Sequence, residues 1–168
     1  MNTEIEITTK IRKAEIEDYQ EIWEIIDEVI RTGDTYVFSP SSDKQKMLRY
    51  WCSSDKFTYV LTVDDKIVGT FILKENQPDL GSHVCNAAFM VDPKLAGQGI
   101  GYQMGAFALE EAKKLGFKAM QFNIVVKTNE AAVALWKKLG FEIVGEVPEV
   151  FNHAKEGYTS AYIMWRKL

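Results

Sequence analysis

Residues 83–101 constrain the fold of this chain more than any other stretch. A β-rich run from His83 to Val91 stops at Asp92-Pro93, where proline cannot continue a hydrogen-bonded ladder. Alternating glycines follow in Gly97-Gln98-Gly99-Ile100-Gly101. From Gly99 to Leu115, Met104, Phe107, Ala108, Ala112 and Leu115 then recur at helical spacing, with Gly116 as the stop. A strand, a glycine loop and a helix in succession predict a layered α/β arrangement. Such a loop can turn successive backbone N–H groups inward beside the positive end of a helix, which favours a pyrophosphate. The dinucleotide fingerprint does not fit, because Tyr102 and Met104 stand where its third glycine is required, and there is no Gly-Lys-Ser/Thr of a P-loop. Taken alone, the loop is equally compatible with an ordinary glycine turn.

The flanking sequence supplies the other elements. Period-two alternation over Ile5 to Ile11 predicts a first strand, and Tyr19, Ile22, Trp23, Ile26 and Val29/Ile30 place a helix over Ala14 to Ile30. Thr32-Gly33-Asp34 breaks it, and a loop carrying Tyr36 and Phe38 leads to a short helix over Lys44 to Trp51, capped from Pro40-Ser41-Ser42-Asp43. Phe57 to Val63 and Ile67 to Leu73 read as an antiparallel hairpin around Asp64-Asp65-Lys66. After the glycine helix come a strand over Met120 to Val126 and a helix from Asn129 to Leu139. Two further strands, Phe141 to Val147 and Tyr158 to Arg166, enclose a loop with Pro148, Phe151 and His153. The order is βααβββαβαββ, an α/β (α+β) chain with a mixed, mostly antiparallel sheet and helices on both faces. One domain over residues 1–168 accommodates it.

Charge narrows the function classes. With 20 basic and 24 acidic residues spread along the chain, the net charge of -4 offers no footprint for a nucleic-acid backbone. Cys52 and Cys85 are far apart and only two histidines occur, which suggests free thiols and no metal site. Met1 to Lys10 lacks an apolar signal core and no run approaches a membrane span, so a cytoplasmic protein without a membrane partner is expected.

A second segment, Asn129-Glu130-Ala131-Ala132-Val133-Ala134-Leu135-Trp136-Lys137-Lys138-Leu139-Gly140-Phe141, completes the pattern. Together the glycine loop and this segment resemble the paired motifs of the GNAT superfamily of N-acetyltransferases, Gln/Arg-x-x-Gly-x-Gly/Ala and Asn-x-x-Ala-x-x-Leu-Tyr-x-x-x-Gly-Phe, in the right order and over nearly the whole chain. The resemblance implies the GNAT fold, acetyl-coenzyme A as cosubstrate and no metal. It also implies that backbone groups of Phe89, Met90 and Val91 pair with the pantetheine arm, and that amides of Gly97, Gln98, Gly99, Ile100, Gly101 and Tyr102 hold the pyrophosphate. Asn129 would bond the coenzyme, a role compatible with capping its own helix. Two positions depart from the motif: Ala96 replaces its leading Gln/Arg, and Trp136 replaces the Tyr that often protonates the departing thiolate. An indole N–H is not a usable acid, so Tyr36, Tyr158 and Tyr162 are alternatives for that role.

Within the superfamily the chain is most similar to yeast-type acetyltransferases of proline analogues such as L-azetidine-2-carboxylate. The supporting residues are Gly33-Asp34-Thr35-Tyr36-Val37-Phe38, Asn86 and Phe89, the Asn123/Asn129 pair, and Val147-Pro148 to Phe151-x-His153 with Gly157-Tyr158. This implies catalytic roles for Asn86 and Asn123, with Asn123 also at the coenzyme, and an acceptor pocket of Tyr36, Phe38, Asn86 and Phe89. Asn86 stands where many members carry a glutamate; it can orient an amine but cannot take its proton. His83 and His153 are the other candidate bases, each also readable as structural, and Cys85 reads as a packed thiol. The expected reaction is direct acetyl transfer to a small amine or amino acid, with a homodimer suggested by the resemblance. Acetylation of a protein or peptide and a non-catalytic acyl-coenzyme A sensor remain alternatives.

Overall fold

The computed structural model describes residues 8–168. Eleven principal elements follow in order: β1 (Thr9–Lys13), α1 (Tyr19–Ile30), α2 (Lys44–Trp51), β2 (Phe57–Val63), β3 (Lys66–Glu75), β4 (Val84–Val91), α3 (Ile100–Lys114), β5 (Ala119–Val126), α4 (Glu130–Lys138), β6 (Glu142–His153) and β7 (Gly157–Lys167). The expected order βααβββαβαββ holds among them. Residues 5–7 of the expected first strand lie outside the described residues.

The seven strands form one sheet in the order β1-β2-β3-β4-β5-β7-β6. Every pairing is antiparallel except β4 with β5, which run parallel and pair only where Val84 and Cys85 meet Ala119 and Met120. Beyond that point the two strands separate, and the sheet opens into a V. On one face Ile22, Ile25, Ile26 and Ile30 of α1 and Met47 and Trp51 of α2 pack on Val60, Ile72 and Met90. On the other, Met104, Ala108 and Ala112 of α3 and Trp136 of α4 pack on Tyr59, Phe71, Phe122 and Met164.

Local chemistry explains three element boundaries that differ from the sequence reading. Helix α1 starts at Tyr19 and not Ala14, because Asp18 accepts the Glu15 N–H at 2.7 Å and N–H groups of both terminal nitrogens of the Arg12 guanidinium at 2.6 and 2.9 Å. That carboxylate holds a short 3-10 turn over Ile16–Asp18 ahead of the helix. The β2–β3 turn is tighter than expected: Asp64 and Asp65 both have positive φ (48° and 63°), and Lys66 already pairs with Val63. These are the dihedrals of the hairpin turn whose twist matches the strands. Strand β6 continues to His153 through Pro148, where a loop was expected. It lies at the sheet edge, where a missing N–H is tolerated, and its register shifts between Val147 and Phe151, with Glu149 at φ 52°.

Candidate active site

The V between β4 and β5 exposes backbone that an unbroken sheet would pair. Val84 accepts from the Asn76 N–H and Asp92 donates to the Val68 carbonyl, each at 2.9 Å, so the even-numbered residues of β4 bond to β3. The N–H and C=O of Phe89 and Val91 therefore face the opening, the geometry of an edge strand awaiting an extended partner. The same alternation turns the backbone of Met90 toward Thr70 of β3, and its side chain is buried under α1. Of the three strand residues expected at the pantetheine, Phe89 and Val91 present their backbone to the opening and Met90 does not.

At the C-terminal end of β4 the chain enters the glycine loop. Gly97 and Gly99 have φ of 77° and 81°, and a Cβ built on either meets nothing within 4 Å. Both glycines are thus required by backbone conformation, and the space beside them is open. Gly99 caps α3 without a side chain, which leaves the amides of Ile100, Gly101 and Tyr102 without a partner among the described residues at the positive end of a four-turn helix. These donors and the open cradle fit a pyrophosphate. Gly101 has a second reason to lack a side chain, since a Cβ there would lie 3.2 Å from Leu135 of α4.

Helix α4 closes the same side. Asn129 accepts the Ala132 N–H through Oδ1 at 3.2 Å, so the capping reading is observed and its amide nitrogen stays available. Trp136 lies against Phe89 of β4 and Phe122 of β5, with ring centroids 4.9 and 4.7 Å away, and so spans the V from below. It is 8% exposed. Among the described residues its indole N–H has no protein partner, yet no side-chain nitrogen is sealed off without one, so the donor retains access to solvent.

The α1–α2 face of the V is built from side chains. By alternation with Ala88 and Met90, Asn86 points to this face. Asn76 Oδ1 accepts from Asn86 Nδ2 at 3.2 Å and from Asn123 Nδ2 at 2.8 Å, and Gln121 donates to Asn123 Oδ1 at 3.0 Å. The two asparagines expected at the reacting centre are thus joined across the splay by Asn76, a residue the sequence reading missed. Its only signal was a carboxamide at the end of a β-rich run.

Tyr36 reaches the opening from the loop between α1 and α2. Its hydroxyl donates to the Phe89 carbonyl and accepts the Phe89 N–H at 3.1 Å. Phe38 stacks near it at 6.5 Å and meets the Tyr50 ring edge-on at 5.1 Å. Gly33 anchors the loop: its carbonyl accepts from Ala154 N–H at 3.0 Å, in the β6–β7 turn that His153 Nδ1 braces by accepting two backbone N–H groups. His153 is engaged in that turn, while His83 is exposed beside the N-terminal end of β4.

Burial pushes the Tyr36 phenol up to about 12. Its hydroxyl already donates to the Phe89 carbonyl, so both its raised pKa and its geometry suit a hydrogen-bond donor better than an acid. Tyr158 is 72% exposed and Tyr162 lies beside Lys127 on β7. Cys85 is fully buried, and burial pushes its thiol up to about 12, as expected of a packed and unreactive group.

With this geometry in view, the matches to known proteins are specific. The Acetyltransferase (GNAT) family model matches residues 13–141. The chain belongs to the GNAT family of acetyltransferases. A GCN5-related N-acetyltransferase structure from Kribbella flavida is 34% identical, with a TM-score of 0.90 over 95% of this chain and 98% of that one. The N-acetyltransferase aca1 of Schizosaccharomyces pombe is 37% identical over 98 residues, 58% of this chain and 47% of that protein. The chain therefore spans about half the length of that relative. The fold is also that of yncA from Salmonella typhimurium, solved with acetyl-CoA, at 20% identity and a TM-score of 0.85 over 96% and 94% of the two chains. GNAT membership brings acetyl-coenzyme A as acyl donor. The residues present fit it: the open glycine cradle, the helix amides, the β4 edge at Val91 and the Asn129 amide are available to it, and at Phe89 a ligand has only the Tyr36 hydroxyl to displace.

Proposed function

We propose that this chain transfers the acetyl group of acetyl-coenzyme A directly to the nitrogen of a small amine, with amino acids of the proline-analogue type, such as L-azetidine-2-carboxylate, among its acceptors. The observation that carries this reading is the V itself. One side offers backbone donors to an extended cofactor arm, and the other offers a carboxamide cluster and an aromatic loop to a compact acceptor. Both reactants can then be held at once, which makes a covalent enzyme intermediate unnecessary.

In this mechanism the amine nitrogen attacks the thioester carbon, the C–N bond forms and the C–S bond breaks. The N–H of Phe89, once the acetyl carbonyl displaces the Tyr36 hydroxyl from it, stabilises the charge that develops on the carbonyl oxygen, while the backbone of Val91 is left to the pantetheine arm. Asn86 and Asn123 orient the amine, which enters neutral, because a carboxamide cannot accept its proton. The Trp136 indole N–H can donate a hydrogen bond to the leaving sulfur, which departs as a thiolate; the proton that the nitrogen sheds as the amide forms passes to solvent water, which returns one to the thiolate.

Similarity to a yeast N-acetyltransferase over 58% of the chain supports transfer to nitrogen. The amino-acid reading draws on the contact of Gly33 with Ala154, which sets the Gly33-to-Phe38 segment against the turn after His153, two of the segments that carry the azetidine-type resemblance. The reading takes the chain as one cytoplasmic domain that pairs as a homodimer; no described helix is long and apolar enough to cross a membrane. Light scattering that finds only monomer at micromolar concentration would remove the dimer.

The test is free-thiol release from acetyl-coenzyme A against azetidine-2-carboxylate, ordinary amino acids, diamines and a short peptide. Turnover on small amines with intersecting double-reciprocal lines is expected. Parallel lines would overturn direct transfer, turnover on the peptide alone would overturn the acceptor class, and tight coenzyme binding without turnover would favour a sensor.

A further inference from the structure

The acceptor face carries a positive charge that the mechanism above does not use. Lys74 of β3 is the register partner of Asn86 on β4. Residues directly opposite in an antiparallel pair share a face and bring their Cβ atoms to within about 5 Å. Lys74 therefore rises beside the carboxamide cluster, and its ammonium lies 5.7 Å from the Tyr50 ring centroid. Tyr50 in turn meets Phe38, which stacks with Tyr36, so Lys74 closes the far end of the aromatic wall that begins at Phe89.

Lys56 is the other ammonium near Tyr50, 4.4 Å from the ring centroid, but it is held by Ser53 at 2.7 Å and Asp55 at 3.0 Å. Among the described residues no carboxylate lies within ion-pairing distance of Lys74. In a chain of net charge -4, a half-buried lysine beside the proposed acceptor site with no acidic partner is positioned to meet one from outside.

We infer that Lys74 is a specificity residue that binds the carboxylate of an amino-acid acceptor, with Asn86 beside it. This rests on the small-amine reading above and sharpens it to amines that carry an acid group close by. Proximity favours a short acceptor. Phe89 and Asn86 are three positions apart on β4, about 10 Å along the strand, and Lys74 lies opposite Asn86 on a flexible four-carbon stem, so an acid group close to the amine is within its compass. A diamine would place a second cation against the ammonium, and an amide would leave the charge unmatched.

The experiment compares each of several amino acids, azetidine-2-carboxylate included, with its primary amide, using the full chain, Lys74→Gln and Lys74→Arg. Acid and amide differ in amine basicity, and comparing variant with wild type cancels that difference. Lys74→Gln is expected to lower the acid-to-amide ratio of kcat/KM by about 10- to 100-fold, mainly through KM for the acid, with partial recovery in Lys74→Arg. The amide arm reports in the same preparation whether the variant is folded. An unchanged ratio with persisting turnover overturns the role of Lys74 and leaves the small-amine reading intact. A wild type silent on every acid and amide overturns both.

Discussion

The two sides of the β4/β5 opening do related work with different materials. On the α3–α4 side the groups offered to a ligand are backbone: the edge of β4 at Val91 and, beneath the Tyr36 hydroxyl, at Phe89, and the amides that begin α3, which have no partner among the described residues. On the α1–α2 side they are side chains from separate stretches: Tyr36 and Phe38 from a loop, Tyr50 from α2, Lys74 and Asn76 from β3 and its end, Asn86 from β4, Asn123 from β5. A backbone site constrains sequence only where the chain must bend, so it appears as glycine spacing and tolerates change at Gln98 or Ala96. A side-chain site is free to vary with the acceptor. The contrast implies that one side sets the shared chemistry of the family and the other sets the substrate of this chain.

The strongest way to break that comparison lies within the backbone side. Gly99→Val places a β-branched residue at φ 81° with its Cβ in open space. Backbone strain of about 1–3 kcal/mol is expected, together with obstruction of the amides that begin α3. KM for acetyl-coenzyme A should rise by about 100-fold. Gly105→Ala is the counterpart: its Cβ would lie 2.5 Å from Leu139 and 3.1 Å from Trp136, so it should cost about 1–3 kcal/mol of stability by overpacking. The pair is read by thermal unfolding and coenzyme KM. If both variants shift both quantities alike, the loop is a structural turn and the backbone account fails.

On the side-chain face the effect is smaller and falls on the other substrate. Asn76→Ala removes the oxygen shared by Asn86 and Asn123. Loss of two partly exposed neutral hydrogen bonds should lower kcat/KM for the acceptor by about tenfold, with coenzyme KM unmoved. Asn76→Asp preserves the acceptor atoms and should recover part of the loss. A coenzyme KM that rises with the acceptor KM would show the two sides to be one site, and the division drawn here would fall.

The same division decides how much could be seen in the sequence. The glycine loop and the Asn129-to-Phe141 segment are contiguous, so spacing alone placed Gly97, Gly99 and Asn129 on their elements, and hydrophobic periods placed all seven strands and four helices. The alternation of β4 then determines which backbone groups face the V, but it was unavailable without the register to β3; for this reason Met90 stood among the expected coenzyme residues. Asn76 and Lys74 were invisible for a related reason. Each acquires its meaning only from a cross-strand neighbour, Asn76 from Asn86 and Asn123, Lys74 from Asn86. Pro148 misled in the opposite direction, because a proline reads as a break until its strand is known to lie at an edge.

Tyr36 belongs to the side-chain face but bonds to the backbone of the other, and its removal should have the smallest effect. Its hydroxyl satisfies both polar groups of Phe89 that face the V, where the carbonyl of a bound acetyl group would seek the same N–H. In Tyr36→Phe that N–H is left uncapped in the free protein, so acetyl-coenzyme A should bind a few-fold tighter, by about the net worth of one hydrogen bond. The turnover number should fall by less than about tenfold, because the hydroxyl donates to the Phe89 carbonyl and burial keeps its proton on the phenol. The sign of the pH dependence follows from the same cause. A burial-raised phenol remains protonated throughout the neutral and mildly alkaline range, so the wild-type kcat should show no falling limb from Tyr36 below about pH 10. Isothermal titration with acetyl-coenzyme A and a pH–rate profile check both expectations. A limb near pH 9 that disappears in Tyr36→Phe, together with a large loss of kcat, would make Tyr36 the missing acid and place part of the shared chemistry on the variable face.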